Sequence, residues 1–179
     1  MPNEFSIYRK IQAVLDVAKS VNVINVAALS SEIYVRGLSN FLARRFEKKK
    51  DKYVDYISSA SIARAVKFCL LLNLIDLSGK LTRNGRDALH GEGFDRIVSR
   101  QINEYFFNHG VEINKMNITI SESLKKMPPV LPTSSHLYEF IDKNKIQYPI
   151  FSKMMTLLVQ CKMAESSQKK IYLNIAESS

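Results

Sequence analysis

Apolar residues recur at helical spacing along three stretches of the first half of the chain. In the first stretch, Ser6–Lys19, the apolar positions are Ile7, Ile11, Val14, Leu15 and Ala18. Ala27–Val35 and Ala60–Leu72 have a similar pattern. Spacings of three and four residues are typical of amphipathic helices that pack one face against a core. We therefore predict three helices, the third with an N-cap at Ser58 or Ser59.

The segment between the second and third predicted helices has a mixed pattern. From Leu38 the apolar residues keep helical spacing, but Arg44–Lys52 is dense in charge, and Tyr53–Ile57 is apolar again. This pattern predicts either one long helix or two helices. The charged block is expected to form a solvated helix face, and contact with phosphate is the alternative.

Two short apolar pieces flank a glycine-containing turn within Leu74–Leu89. The turn is at residues 78–80, and apolar pieces on both sides of such a turn predict a β-hairpin. Thr82 is then expected to cap a short helix at the end of this segment.

The second half begins after His90–Gly93, where two glycines interrupt the pattern. Three prolines exclude a helix just before residue 133, and Pro149 suits the first turn of a helix. The predicted elements are helices over Phe94–Asn108 and Ile118–Lys126, an extended connector over Met127–Pro132, a helix containing Leu137–Ile141, a helix over Pro149–Cys161, a short strand near Met163–Glu165, a polar turn at Ser166–Lys169, a return strand over Lys170–Leu173 and a loose tail, Asn174–Ser179.

Each half thus ends in an apolar helix followed by a strand, a polar turn with lysine and a returning strand. A helix followed directly by a hairpin, after two earlier helices, resembles the winged helix-turn-helix superfamily. The closest local match is Leu74–Leu89, in which Leu81-Thr82 ends the return strand and Gly85-Arg86 opens the next helix. The resemblance predicts a mainly α fold with small β-hairpins, arranged as two tandem winged-helix units over residues 1–93 and 94–179.

The chain departs from the compact winged-helix pattern in one respect. Ala27–Ile57 is longer than the motif needs, so either an extra helix or a lengthened turn precedes the third helix.

The resemblance also implies which residues would contact DNA. In DNA-binding members the recognition helix enters the major groove and the wing contacts the backbone or the minor groove. Ala60–Leu72 would be the first recognition helix, with Ser61, Arg64 and Lys67 pointing outward. Arg64 is suited to a bidentate guanine contact, and the other two to phosphate. The remaining implied contacts are Lys80, Arg83 and Arg86 in the first unit, with Ser152, Lys153, Thr156, Lys169 and Lys170 in the second. Ordinary solvated surface residues are the alternative for all of these.

The charge of the chain favours a polyanionic partner. The net charge is +9, and residues 1–93 hold 15 basic and nine acidic residues, which leaves +6. Nucleic acid is the commonest partner of such a surplus. The first unit is therefore the better candidate for DNA binding, and the second is a candidate for packing or contact with a partner.

No catalytic or ligand-binding motif stands out. The six glycines form no phosphate-binding or dinucleotide-binding pattern, and His90, His109 and His136 are isolated from one another. Cys69 and Cys161 lie in apolar stretches and are too few for a structural zinc site. We therefore expect no enzymatic activity, no cofactor and no bound metal.

The longest apolar run is too short to cross a bilayer, and the N-terminus does not resemble a signal peptide. We expect a cytoplasmic protein, or a nuclear one if the host has a nucleus, that does not insert in a membrane. The expected function is duplex DNA binding, as a small transcriptional regulator or an accessory protein, and the candidate protein partners are a second copy of the chain or another protein. The alternatives are a protein-interaction module within a larger assembly and a component of a defence or mobile-element system.

Overall fold

Helices make up most of the part of the chain that the structure describes, and the rest of that part includes two small antiparallel sheets. The chain divides into two units, Met1–Phe94 and Asp95–Ser179. The computed structural model describes residues 2–90, 93–109, 130–132, 146–161, 164–167 and 170–173.

Three helices form the core of the first unit: α1 (Ile7–Ser20), α2 (Val26–Arg36) and α3 (Ser59–Leu71). They confirm the three helices predicted from the apolar spacing. Each packs against the other two. The side chains with no exposed surface that they contribute include Ile11, Val14, Leu15, Leu29, Ile33, Ala65 and Cys69.

Side-chain caps fix where the helices begin. The side-chain oxygens of Ser6, Asn25, Ser58 and Thr82 each accept the backbone N–H three residues later, at 2.8–3.2 Å. Such a bond satisfies one of the backbone donors that a helix leaves without an internal partner at its N-terminus. The predicted caps at residues 58 and 82 are confirmed.

A β-hairpin lies between α2 and α3, where one or two helices were predicted. After a short 3-10 turn, Ser39–Phe41, strand β1 (Leu42–Glu47) pairs antiparallel with β2 (Lys52–Ile57). The helical prediction for this segment is wrong. Phe41 is buried, but Leu42 and Phe46, which are four positions apart, are 40% and 46% exposed. Their spacing therefore marks no buried helix face.

The predicted hairpin in Leu74–Leu89 is reduced to a single bridge between Ile75 and Leu81. The Asp76 carboxylate closes the turn, because its Oδ1 accepts the backbone N–H groups of Ser78 at 2.9 Å and Lys80 at 3.1 Å. Because α3 ends at Leu71 and Thr82 already caps the next helix, the segment between them is too short for longer paired strands. The predicted short helix follows it as α4 (Arg83–Ala88).

The described elements of the second unit are α5 (Gly93–Asn108), β3 (Val130–Pro132), α6 (Tyr148–Gln160), β4 (Ala164–Ser167) and β5 (Lys170–Leu173). The first two residues of α5 still belong to the first unit, which ends at Phe94. The strands form a sheet in the order β3-β5-β4, antiparallel throughout. In the core, the rings of Phe106 and Phe151 lie 5.4 Å apart.

The predicted helices over Phe94–Asn108 and Pro149–Cys161 are confirmed as α5 and α6, and the predicted return strand is confirmed as β5. The extended connector also supplies a strand, β3, that the sequence did not predict. The predicted helices over 118–126 and 137–141, and the tail over 174–179, lie outside the described residues. In the part of the chain that is described, no helix has both the length and the apolar character needed to cross a membrane.

Candidate nucleic-acid interface

The hairpin Leu42–Ile57, here named the basic ribbon, is exposed on both faces. Its two strands pack mainly on each other. At its base the Ser58 N–H donates to the Phe41 carbonyl at 2.8 Å, and the buried Phe41 ring anchors that end in the three-helix core. An isolated two-stranded hairpin is at best marginally stable in water. The ribbon is therefore an arm whose stability depends on its base and its cross-strand pairs.

One face of the ribbon, the Phe46 face, carries two cross-strand contacts. Arg44 lies opposite Asp55, with Nε 3.1 Å from Oδ1. Phe46 lies opposite Tyr53, and their rings meet edge to face with centroids 5.2 Å apart. Directly opposed pairs of these kinds stabilise a sheet by about 0.2–1 kcal/mol each.

The other face, the Arg45 face, places a cation over an aromatic ring. The Arg45 guanidinium lies 5.2 Å from the centroid of the Tyr56 ring and also contacts Glu47 at 3.5 Å. Glu47 pairs in addition with Lys50 at 3.2 Å. The positive charges near the middle of the ribbon are thus partly neutralised by neighbouring carboxylates.

Besides Lys50, the tip of the ribbon holds three lysines that take part in no such ion pair within the described residues. The loop at residues 48–51 closes with Asp51 at a positive φ of 47°. Among the described residues, Lys48, Lys49 and Lys52 have no ion-pair partner. All three are exposed. Across the ribbon, six basic and three acidic residues leave +3, half of the surplus of the first unit.

The exposed face of α3 presents two of the three residues predicted on it. Arg64 and Lys67 are exposed, and the Arg64 Nε donates to the Ala60 carbonyl at 3.4 Å. Ser61 is only 8% exposed, so the prediction that it points outward is wrong. Ser61 shares a helical row with the buried residues Ala65 and Phe68, four and seven positions on. Ser61, Arg64 and Lys67 are three positions apart, whereas a helical turn takes about 3.6 residues. Residues at this spacing therefore do not stay on one face, and Ser61 falls on the buried one.

An open groove of about 500 Å³ lies between α2 and the start of α3. Four of the residues that line it carry a hydroxyl group, and these are Ser30, Ser31, Tyr34 and Ser59. Hydroxyl groups of this kind are common donors to phosphate oxygens. Because β2 leads directly into α3, this groove adjoins the base of the ribbon.

The other predicted contacts of the first unit lie on consecutive elements after α3. Lys80 is exposed in the turn that Asp76 closes, and Arg83 is exposed at the start of α4. Arg86 is also exposed, and its guanidinium donates to the Leu81 carbonyl at 3.0 Å. Hydrogen bonds from the Ser78 side chain and the Lys80 backbone hold the pKa of Asp76 below its ordinary value. These bonds favour the charged form of the carboxylate that closes the turn.

The predicted contacts of the second unit are placed only in part. On α6, Lys153 is exposed, Ser152 is half-buried, and the exposed Thr156 donates its hydroxyl to the Ser152 carbonyl at 3.0 Å. Lys170 is the first residue of β5, and Lys169 lies outside the described residues.

The basic ribbon is the feature that sequence reasoning missed. The available signal was the β-forming run Tyr53–Ile57, joined by a short polar loop to the aromatic and charged run before it. The block Arg44–Lys52 was predicted as a helix face, whereas it forms most of β1 and the loop.

The described residues offer no clear site for metal binding, because no three His, Cys, Asp or Glu side chains among them cluster closely enough. Both cysteines are buried. Burial raises the pKa of the Cys69 thiol well above its ordinary range, and burial together with the Asp95 charge raises that of Cys161 to about 12. Neither thiol is therefore activated as a nucleophile. No family model, curated protein or solved structure matched the chain.

Proposed function

We propose that this protein binds duplex DNA through its first unit, as a small regulator or accessory protein. The observation that carries the proposal is the basic ribbon, an exposed arm whose tip presents Lys48, Lys49 and Lys52 without ion-pair partners among the described residues. Unpaired surface lysines release the counterions condensed on DNA when they meet its phosphates, and this release drives binding.

The ribbon and α3 support each other in this role. A two-stranded ribbon and a helix are the two elements that fit the major groove of B-form DNA. β2 continues into α3, whose exposed face presents Arg64 and Lys67. In the proposed complex α3 supplies the base contact through Arg64, and the ribbon extends the phosphate contacts beyond it.

The element order supports a winged-helix relationship for the second unit. There α6 leads into the β4–β5 hairpin, and β3 pairs with the return strand β5. The first unit keeps the helical part of the pattern, with the ribbon inserted between α2 and α3. We propose that the first unit is a helix-turn-helix variant in which the ribbon takes the place of the turn.

A protein-interaction role is the second candidate, and exposed apolar side chains favour it. Ile24 is 84% exposed and Leu77 is 79% exposed. They lie on neighbouring segments, because a Cβ added to Gly79 would be 3.0 Å from the Asn25 carbonyl oxygen. Apolar side chains exposed together are typical of a surface that binds another protein.

A charge-matched pair of variants tests the DNA proposal. Lys48→Ala/Lys49→Ala removes two charges from the ribbon tip, and Lys19→Ala/Arg96→Ala removes two exposed charges elsewhere. Affinity for a labelled duplex is measured by fluorescence anisotropy over a salt series. We expect the ribbon variant to lose about two units of the salt slope, at roughly 0.9 per phosphate contact, and the control to keep the slope. Equal slopes for the two variants would overturn the assignment of the ribbon as the DNA-binding arm.

A further inference from the structure

An exposed aromatic pair sits at the end of the ribbon, outside any core. Phe46 is 46% exposed and Tyr53 is 67% exposed, although their rings contact each other. Aromatic side chains gain most of their stabilisation by burial, and this pair leaves much of that gain unrealised. The free ring surface is therefore available to a flat apolar ligand.

The surroundings of the pair specify the chemistry of that ligand. Only the closing pair Glu47 and Lys52 separates the rings from the four-residue loop at the tip of the ribbon. Lys48 and Lys49 stand on that loop. Flat apolar rings next to unpaired cations suit a ligand with flat faces and regularly spaced negative charges, which describes a nucleic-acid strand.

The rings further distinguish between paired and unpaired bases. Inside a duplex both faces of a base are covered by its neighbours, so a side chain in a groove reaches only base edges. A base that is not paired exposes its face and stacks readily on an aromatic side chain. We propose that the ribbon tip binds unpaired bases next to a duplex, with Tyr53 and Phe46 as the stacking platform and the loop lysines on the phosphates. This inference rests on the proposed DNA binding and adds a preference for duplex DNA that carries a single-stranded extension.

The absence of tryptophan from the sequence makes a direct test possible. Tyr53→Trp introduces one fluorophore at the ribbon tip, and Phe107→Trp introduces one at a site of similar exposure, 64%, in the second unit. Each variant is titrated with oligothymidylate, with a blunt duplex and with the same duplex carrying an oligothymidylate extension. We expect oligothymidylate and the extended duplex to quench the emission of Y53W and the blunt duplex to quench it much less. All three probes should leave the emission of F107W nearly unchanged.

Affinities of a leucine variant complete the test. Phe46→Leu/Tyr53→Leu removes both rings but keeps an apolar contact between the two strands. If the rings only stabilised the ribbon, this variant would bind DNA as well as the wild type does. We expect about 5- to 150-fold weaker binding to the extended duplex per stacked base lost, with blunt-duplex affinity unchanged. Unaltered affinity of the leucine variant, or equal quenching of Y53W by blunt and extended duplexes, would overturn the stacking proposal while duplex binding stands. Failure of the wild-type protein to bind any of the three probes would instead refute the proposed function itself.

Discussion

Replacing Gly79 by alanine tests how the turn before α4 is held against the rest of the first unit. Gly79 has a φ of 80°, and an added Cβ would lie 2.9 Å from Val23 Cγ2, 3.0 Å from the Asn25 carbonyl oxygen and 3.3 Å from Leu29 Cβ. A left-handed backbone costs an L-residue about 1–2 kcal/mol. Forcing a methyl group into a packed contact adds about 1–3 kcal/mol. We therefore expect G79A to lower the free energy of unfolding by about 2–5 kcal/mol.

Gly37 provides the matched control, because it has a φ of 60° and no atom within 4 Å of an added Cβ. G37A should lose only the backbone part, about 1–2 kcal/mol. Urea unfolding followed by far-UV circular dichroism measures both values. In thermal unfolding each kcal/mol should appear as a shift of about 4–8 °C for a unit of this size. If the two variants lost the same stability, the close packing of the turn on Val23 and Leu29 would be refuted.

Two further predictions concern single side chains of the first unit. Arg64→Ala should weaken binding to the preferred duplex by about 1–3 kcal/mol and relax discrimination at one base pair, since a bidentate guanine contact is worth that much. The control Arg64→Lys restores the charge but not the discrimination. If competition assays showed an unchanged sequence preference for Arg64→Ala, α3 would not be the recognition helix. Asp76 has a lowered pKa in the folded state, so its charge contributes stability above the unfolded pKa, and this contribution is lost as the pH falls through the folded value. Asp76→Asn should therefore be less stable than wild type at pH 7, with the difference shrinking below about pH 3.8 in urea titrations; a difference that did not change with pH would contradict the hydrogen-bonded carboxylate.

Local signals in the sequence were sufficient for the helices. A capping side chain and an apolar row with spacings of three and four are both short-range features, and they placed the N-cap of α3 at Ser58 or Ser59 and that of α4 at Thr82. The same holds for α6, where Pro149 lies in the first turn. Such elements are predictable because the residues that fix them are adjacent in the chain.

The basic ribbon could not be found in the same way, because neither of its faces is buried. Strands are usually recognised by alternation between a buried and an exposed face, and here that alternation is absent. The ribbon depends instead on pairs across the two strands, such as Arg44 with Asp55 and Phe46 with Tyr53. The apolar residues at positions 38, 41, 42 and 46 have helical spacing. That spacing favoured a helix over the paired strands that the chain forms.

The candidate site was predicted only where it lies on helices and turns. Arg64, Lys67, Lys80, Arg83 and Arg86 are exposed as the sequence predicted. The lysines at the ribbon tip were seen as charge but not as an arm, because their placement depends on the hairpin.

The salt dependence of duplex binding by the wild-type protein tests the proposed function most directly. Five exposed cations, three at the ribbon tip and two on α3, are the proposed phosphate and groove contacts: Lys48, Lys49, Lys52, Arg64 and Lys67. If the four lysines each neutralise one phosphate while Arg64 contacts a base edge, a plot of log Kobs against log salt concentration should have a slope of about −3 to −4. A slope near zero, or no binding at the lowest salt concentration, would contradict DNA binding by this protein.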